Sequence, residues 1–457
     1  MQRNSCKLRR ILRAWAASFL FAFCLIPAAK AATPFFPLKD IRPGLHGVGR
    51  TVFTGNKIES FDVEILGVLE NSTPGQAIIL ARLSGGPLAD TGVMQGMSGS
   101  PVYIDNKLVG AVALGFPFAK EPIAGIQPIE QMVGNGRLLE EARTWDVDGG
   151  DTVFPGSYAS LVAALQNSPS SAPVLMGTGR KLHDISTPLN LAGFGEEALK
   201  TFSPLLQRWG FEPQQGLGAG TPSTQTYSGR VEPGSMISVQ LMSGDLNVSA
   251  DGTVTYVDGN RVYAFGHRFL AMGATDLPFA RADVLALLPS LNSSFKISAA
   301  RELAGSITVD RSTTVAGLMG RPAQMLPMDV EVDSATNRRS YHVQITNQRL
   351  LTPFLTQMAV FSIVDATERV TGGATLAIDG QMEFEGNHPP LNLHNIFTAD
   401  SNVPLQAAVN LVAPIGFLLD AGFDSLRPKK ISFHIRPLQR KRQVQIDQLW
   451  LSRREAR

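Results

Sequence analysis

The sequence predicts a mostly β chain: two small β-barrels followed by a further β domain. Three observations carry this. Short apolar runs rich in Val, Ile, Leu and Phe recur between Gly, Pro, Asn and Ser turns. Two hairpins, at 101–115 and 253–267, echo each other in form, as two related barrels would. Seven further short strands with turns between them fill residues 311–457, the pattern of a sandwich.

Taken in order, residues 1–31 read as a secretory signal. Arg3, Lys7, Arg9, Arg10 and Arg13 precede an apolar run from Ala14 to Ile26, and Ala29-Lys30-Ala31 is a small-residue cleavage site. The expected mature chain starts at Ala32 and is periplasmic or extracellular. The apolar run is too short to span a bilayer, and no later segment reads as long and apolar enough to do so.

Residues 32–145 form the first barrel half. Phe61-Asp62-Val63-Glu64-Ile65-Leu66-Gly67-Val68-Leu69 and Ala77-Ile78-Ile79-Leu80-Ala81-Arg82-Leu83 are its clearest strands, and 136–145 suits a short helix. Residues 146–226 read as a linker, with one short helix at 157–166 and a longer one near 195–210. Pro204 lies inside the longer pattern and predicts a kink or break near Ser203. Residues 227–310 form the second half, centred on a hairpin that turns at Asp258-Gly259-Asn260. Strands at 328–333, 341–346, 358–364, 374–378, 381–385, 405–412 and 431–436 make up the C-terminal β domain.

Composition excludes several function classes. Both cysteines, Cys6 and Cys24, lie in the signal, so the mature chain has no thiol, disulfide or cysteine metal site. Processing leaves 35 Lys/Arg against 39 Asp/Glu, and only the 427–457 tail is basic. With no zinc spacing and no basic–aromatic interleaving, nucleic acid is not an expected partner. No metal or organic cofactor is implied, because phosphate-cradling and dinucleotide motifs are missing in strand–helix context.

The chemistry concentrates at Gly96-Met97-Ser98-Gly99-Ser100-Pro101. A nucleophilic Ser needs a tight Gly-flanked turn that exposes its hydroxyl and converges backbone N–H groups on one oxyanion. The turn leads into Val102-Tyr103-Ile104, Asp105-Asn106 and Leu108-Val109-Gly110-Ala111-Val112, a hairpin. This resembles the Gly-Asp-Ser-Gly-Gly-Pro of chymotrypsin-like serine peptidases. By that resemblance Ser98 is the nucleophile, and the N–H groups of Gly96 and Ser98 form the oxyanion hole.

A Ser nucleophile needs a base, most often His. His267 ends the second hairpin in Tyr263-Ala264-Phe265-Gly266-His267, and His46, in a Gly-rich loop, is its rival. Thr91-Gly92-Val93-Met94-Gln95 leading into the Ser98 turn, and Gly252-Thr253-Val254-Thr255-Tyr256 leading to Ala264-Phe265-Gly266-His267, are similar to the SpoIVB peptidases, the sporulation serine endopeptidases. That resemblance implies His267 as the base. It departs from the family in order, since here the Ser motif comes first, as if the two halves were permuted. It also departs in the orienting carboxylate, because Leu83 and Ser84 stand where the family has its Asp. Asp276 and Asp90 are the candidates for that role, and a Ser–His dyad is the alternative. No PDZ module is evident.

The expected protein is thus an exported serine endopeptidase with two chymotrypsin-like barrels in permuted order and a C-terminal sandwich-like domain. Its partner is a protein or peptide substrate. The rival is a peptidase fold that only binds peptides or envelope proteins.

Overall fold

The computed structural model describes residues 33–116, 118–134, 182–216, 230–334, 337–367, 371–423, 426–438 and 448. The signal, the start at Ala32, the helices at 136–145 and 157–166 and linker residues 217–229 fall outside them. Six antiparallel strands close the first barrel: β1 (His46–Thr54), β2 (Lys57–Thr73), β3 (Gln76–Ser84), β4 (Pro101–Ile104), β5 (Lys107–Gly115) and β6 (Ile123–Pro128). Their order is β4-β1-β2-β3-β6-β5, and the β4–β5 hairpin completes the ring. Phe61, Val63 and Ile65 alternate inward along β2, the period of two that a strand with one buried face requires. At the tip of the hairpin Asp105 and Asn106 both take positive φ, which a two-residue turn between twisted strands demands. A short helix, α1 (Leu88–Thr91), precedes the Ser98 turn, and α2 (Ile129–Val133) follows β6. A two-residue strand, β7 (His183–Asp184), adds to β5 at the open edge.

The chain then passes through β8 (Thr187–Ala192), α3 (Glu196–Arg208) and β9 (Phe211–Gln215). Of the kink or break expected near Ser203, the break does not occur: α3 runs on through Pro204. Ser203 Oγ donates to the Leu199 carbonyl, and Ala198, Phe202, Leu205 and Leu206 bury one face.

A second ring follows, from β10 (Met236–Gly244), β11 (Asn247–Asp258), β12 (Arg261–Ala264), β13 (Gly273–Leu288), β14 (Phe295–Arg311) and β15 (Thr314–Met319). Each strand pairs antiparallel with two others, and β10 with both β11 and β13 closes the circle. Both barrels lie within one compact unit, Phe35–Arg457. Leu108, Ala111 and Ile129 from the first meet Tyr256, Tyr263 and Val309 from the second in a shared apolar seam.

The remaining chain corrects the sequence expectation of a third, sandwich-like domain. Its strands β16 (Met325–Asp333), β17 (Arg338–Thr346), β18 (Thr371–Phe384), β19 (Leu391–Ser401) and β20 (Pro428–Leu438) continue the second barrel's sheet through the β17–β10 pairing. Two helices cover them, α4 (Leu351–Thr367) and α5 (Val403–Asp420), in place of a second sheet. The expected strand at 358–364 belongs to α4 and the one at 405–412 to α5. Helix α4 is apolar on nearly every side, so its sequence has no polar face to reveal a helical period. The expected strands 374–378 and 381–385 are one strand. Asp379-Gly380 reads as a turn, yet Asp379 pairs with His394 and Arg436 on the neighbouring strands, and Gly380 makes room for the Phe433 ring. A further correction concerns α5. It is long and apolar enough to cross a membrane by length and composition, although its Ala407, Ala408, Leu411, Val412 and Ile415 face lies in the core.

Candidate active site

The Ser98 turn spans the gap between α1 and β4, and the second barrel grips it. Thr253 N–H donates to the Ser98 carbonyl at 2.8 Å, Thr253 Oγ1 to the Gly96 carbonyl at 2.8 Å and Thr255 Oγ1 to the Gly99 carbonyl at 2.7 Å. From the other side Gly99 N–H donates to Val112 of β5. Gly99 has φ +94°, and a Cβ there would stand 1.9 Å from the Thr253 carbonyl oxygen. Only glycine fits. Gly99→Ala is expected to cost several kcal/mol, on the order of 3 or more, because it adds a steric clash to a forbidden φ. Urea denaturation reads that loss as a lowered midpoint.

These anchors leave two donors free. Met97 and Ser100 N–H groups donate within the turn, but the N–H groups of Gly96 and Ser98 donate to no group among the described residues. They are the pair expected for the oxyanion hole. Ser98 is fully buried and its Oγ has no hydrogen-bond partner; the same holds for Ser100. Buried hydroxyls are rarely left so, and a catalytic role is one explanation for such an orphan.

His267 reaches the same place from the second barrel. Phe265 N–H donates to the Thr253 carbonyl, so Thr253 holds the Ser98 turn with its N–H and the His267 loop with its oxygen. Phe265 and Gly266 both take positive φ, +65° and +72°, a costly run for a non-glycine such as Phe265. The turn carries Gly266 against β5, where a Cβ would meet Ala111 and Ala113 within 3.1 Å. His267 is 3% exposed. Its Nδ1 lies 2.7 Å from the Arg268 carbonyl, an obligate acceptor, so Nδ1 carries the proton. That leaves Nε2 with its lone pair free, and Nε2 is buried without a partner. His267 Nε2 and Ser98 Oγ therefore make no hydrogen bond to each other. Resting catalytic pairs are often looser than they become with substrate bound.

Other candidates sit elsewhere. Asp276, on β13, accepts from Ser306 Oγ at 2.5 Å and Gln324 N–H at 3.0 Å, and faces Arg321. Asp90, on α1, and His46, at the start of β1, are exposed. The orienting acceptor on His267 is a backbone carbonyl.

Two buried residues at the site escaped the sequence reading. Asp310 accepts the N–H groups of Phe269, Leu270 and Met272, and so holds the loop after His267. Burial pushes its pKa up, against those three hydrogen bonds and the nearby imidazole. Lys296 is fully buried beneath the Ser98 turn. Its Nζ donates to Thr51 Oγ1 at 2.7 Å, and its methylenes pack under Gly96. Burial pushes its pKa down to about 7. Spacing reveals neither residue, since each looks like an ordinary strand position.

A cleft of about 930 Å³ opens beside these groups, with Gln95, Gly115, Ile185, Trp209, His267 and Phe269 on its walls. Among the described residues no group of three or more His, Cys, Asp and Glu is placed to hold a metal.

No curated protein and no solved structure matches the chain. Residues 30–133, which include the whole first barrel and the Ser98 turn, match the family model described as SpoIVB peptidase S55. The part of the chain that carries the Ser98 turn is thus similar to the SpoIVB peptidases, serine peptidases by family.

Proposed function

We propose that the protein is an exported serine endopeptidase working through a Ser98–His267 dyad. His267 Nε2 takes the Ser98 Oγ proton as Oγ attacks the peptide carbonyl. The N–H groups of Gly96 and Ser98 hold the resulting oxyanion, and the imidazolium returns its proton to the departing amine. Water then repeats the sequence on the acyl-enzyme, with Nε2 again as base. The observation that carries this reading is the pair of unused N–H groups flanking a buried, unpartnered Ser98 hydroxyl. The Arg268 carbonyl supports it by fixing the tautomer in which Nε2 accepts a proton.

One experiment tests both chemistry and export. The protein expressed with its leader is collected from the exported fraction, treated with a serine-reactive phosphonate and weighed intact. A chain beginning at Ala32 with one adduct on Ser98 is expected. A mass beginning at Met1 overturns export. A folded chain that takes no label overturns the peptidase. The second reading, a cleft that only binds peptides, is favoured by the missing Ser98–His267 hydrogen bond, and it predicts that unlabelled result.

A further inference from the structure

An extended peptide can be bound as an extra strand laid along an exposed sheet edge, with pockets reading alternate side chains. In this molecule such an edge leads straight away from the nucleophile. Along β5, Val112 exchanges hydrogen bonds with the turn itself, its carbonyl accepting from Gly99 and its N–H donating to Ser100. The pairing of β5 with β6 then shifts register between Val112 and Leu114. Bulges of this kind re-aim backbone groups beside active sites. The Ala113 carbonyl accepts from the N–H of Ile185 at 2.9 Å. Leu114 then pairs antiparallel with Asp184, and Gly115 with His183.

The strand laid there belongs to the protein itself. Ile185 is buried, and a Cβ built on Gly115 would lie 3.7 Å from Ile185 Cγ1 and 3.8 Å from Val93 Cγ1. Val93 belongs to the run leading into the Ser98 turn. Ile185 thus sits in a pocket walled by the residues before the nucleophile and by the strand after it. Asp184, the preceding residue, faces Arg268 at 3.6 Å, next to the proposed base. The segment therefore passes between the two loops that carry Ser98 and His267.

Resting on the peptidase reading, we propose that His183–Ser186 occupies the substrate groove as an internal mimic, and that the groove takes extended peptides. Its Val93–Gly115 pocket accepts a medium-sized aliphatic side chain. Gly115 leaves space for that side chain, and the apolar wall excludes charge. A substrate must displace the resident segment before it reaches Ser98.

The test measures binding in the full mature chain carrying Ser98→Ala, where no turnover intervenes. The ligand is a fluorescent peptide Leu-His-Asp-Ile-Ser-Thr, the sequence of residues 182–187. Adding Ile185→Gly is expected to tighten peptide binding about tenfold or more. The same peptide with Asp in place of Ile is expected not to bind. Equal affinity for both chains, or no preference for Ile over Asp, overturns the proposal. If Ile185→Gly does not fold, hydrogen exchange in the Ser98→Ala chain gives the answer. Saturating peptide should speed exchange of the Ile185 amide about tenfold, and an unchanged rate overturns the proposal. Because binding is read without the nucleophile, its failure leaves Ser98 labelling intact, and failed labelling leaves binding readable.

Discussion

Ser98→Ala is expected to abolish hydrolysis of an unfolded protein such as casein, a fall of about 10⁴-fold or more. The fold should stay intact, because the substitution removes one hydroxyl that has no hydrogen-bond partner. His267→Ala should fall nearly as far, and the double variant no further, because a nucleophile and its base act as one unit. Ser100→Ala should lose little. Its hydroxyl is equally orphaned, but its N–H is spent on Met97 and is not available to an oxyanion. Asp276→Asn should keep its activity, since Ser306, Gln324 and Arg321 surround that carboxylate. Casein hydrolysis unchanged in Ser98→Ala would sink the mechanism; a large loss in Asp276→Asn would restore the triad.

Lys296→Met is expected to stabilise the protein at about pH 6, by an amount that shrinks as pH rises. Burial lowers the Lys296 pKa from 10.5 to about 7. Between those values the unfolded chain holds a proton that the folded chain does not, so the wild type gains stability as pH climbs through this window. Below about pH 7 the folded chain must carry a buried ammonium whose hydrogen-bond acceptors are Thr51 Oγ1 and the Met236 sulfur. The full shift corresponds to on the order of 5 kcal/mol, an upper limit once the lost Thr51 bond is allowed for. Urea midpoints of the two proteins at pH 6, 8 and 10 test this. A difference that does not change with pH would mean that the amine stays charged throughout.

How much of this was legible in the sequence depends on how far apart the interacting residues lie. The Ser98 turn was readable because its chemistry is local: glycines at 96 and 99 and the hairpin after them are consecutive. His267 is a candidate in the sequence because a small residue precedes it at the end of a strand, and the structure buries it on a loop tied to Thr253. The second barrel was visible from its Asp258-Gly259 turn, but β15, which completes the ring, lies beyond the expected boundary at residue 310 and is none of the expected strands. The failures share a physical cause. Asp310 acts on backbone N–H groups some forty residues earlier, and no side-chain pattern marks such a partner. Lys296 looks like a solvated strand residue until two barrels close over it. Helices α4 and α5 are apolar nearly all round or over a broad face, and only an amphipathic helix advertises its period. Asp276 lies only nine residues after His267 in the sequence. Strand β13 carries it to Ser306 and Gln324 instead.

The grip of Thr253 and Thr255 on the Ser98 turn also sets a clock. Ser98 is synthesised more than 150 residues before the strand that supplies three of its turn's anchoring hydrogen bonds. Protein chains form such distant contacts late, after the loop between them has been closed. A growing chain therefore holds Ser98 in an unfinished loop, without His267 and without the bonds that fix the turn. On the proposed mechanism, placing the histidine half second makes completion of the molecule the condition for its chemistry, and so would spare the partly made chain from its own hydrolysis.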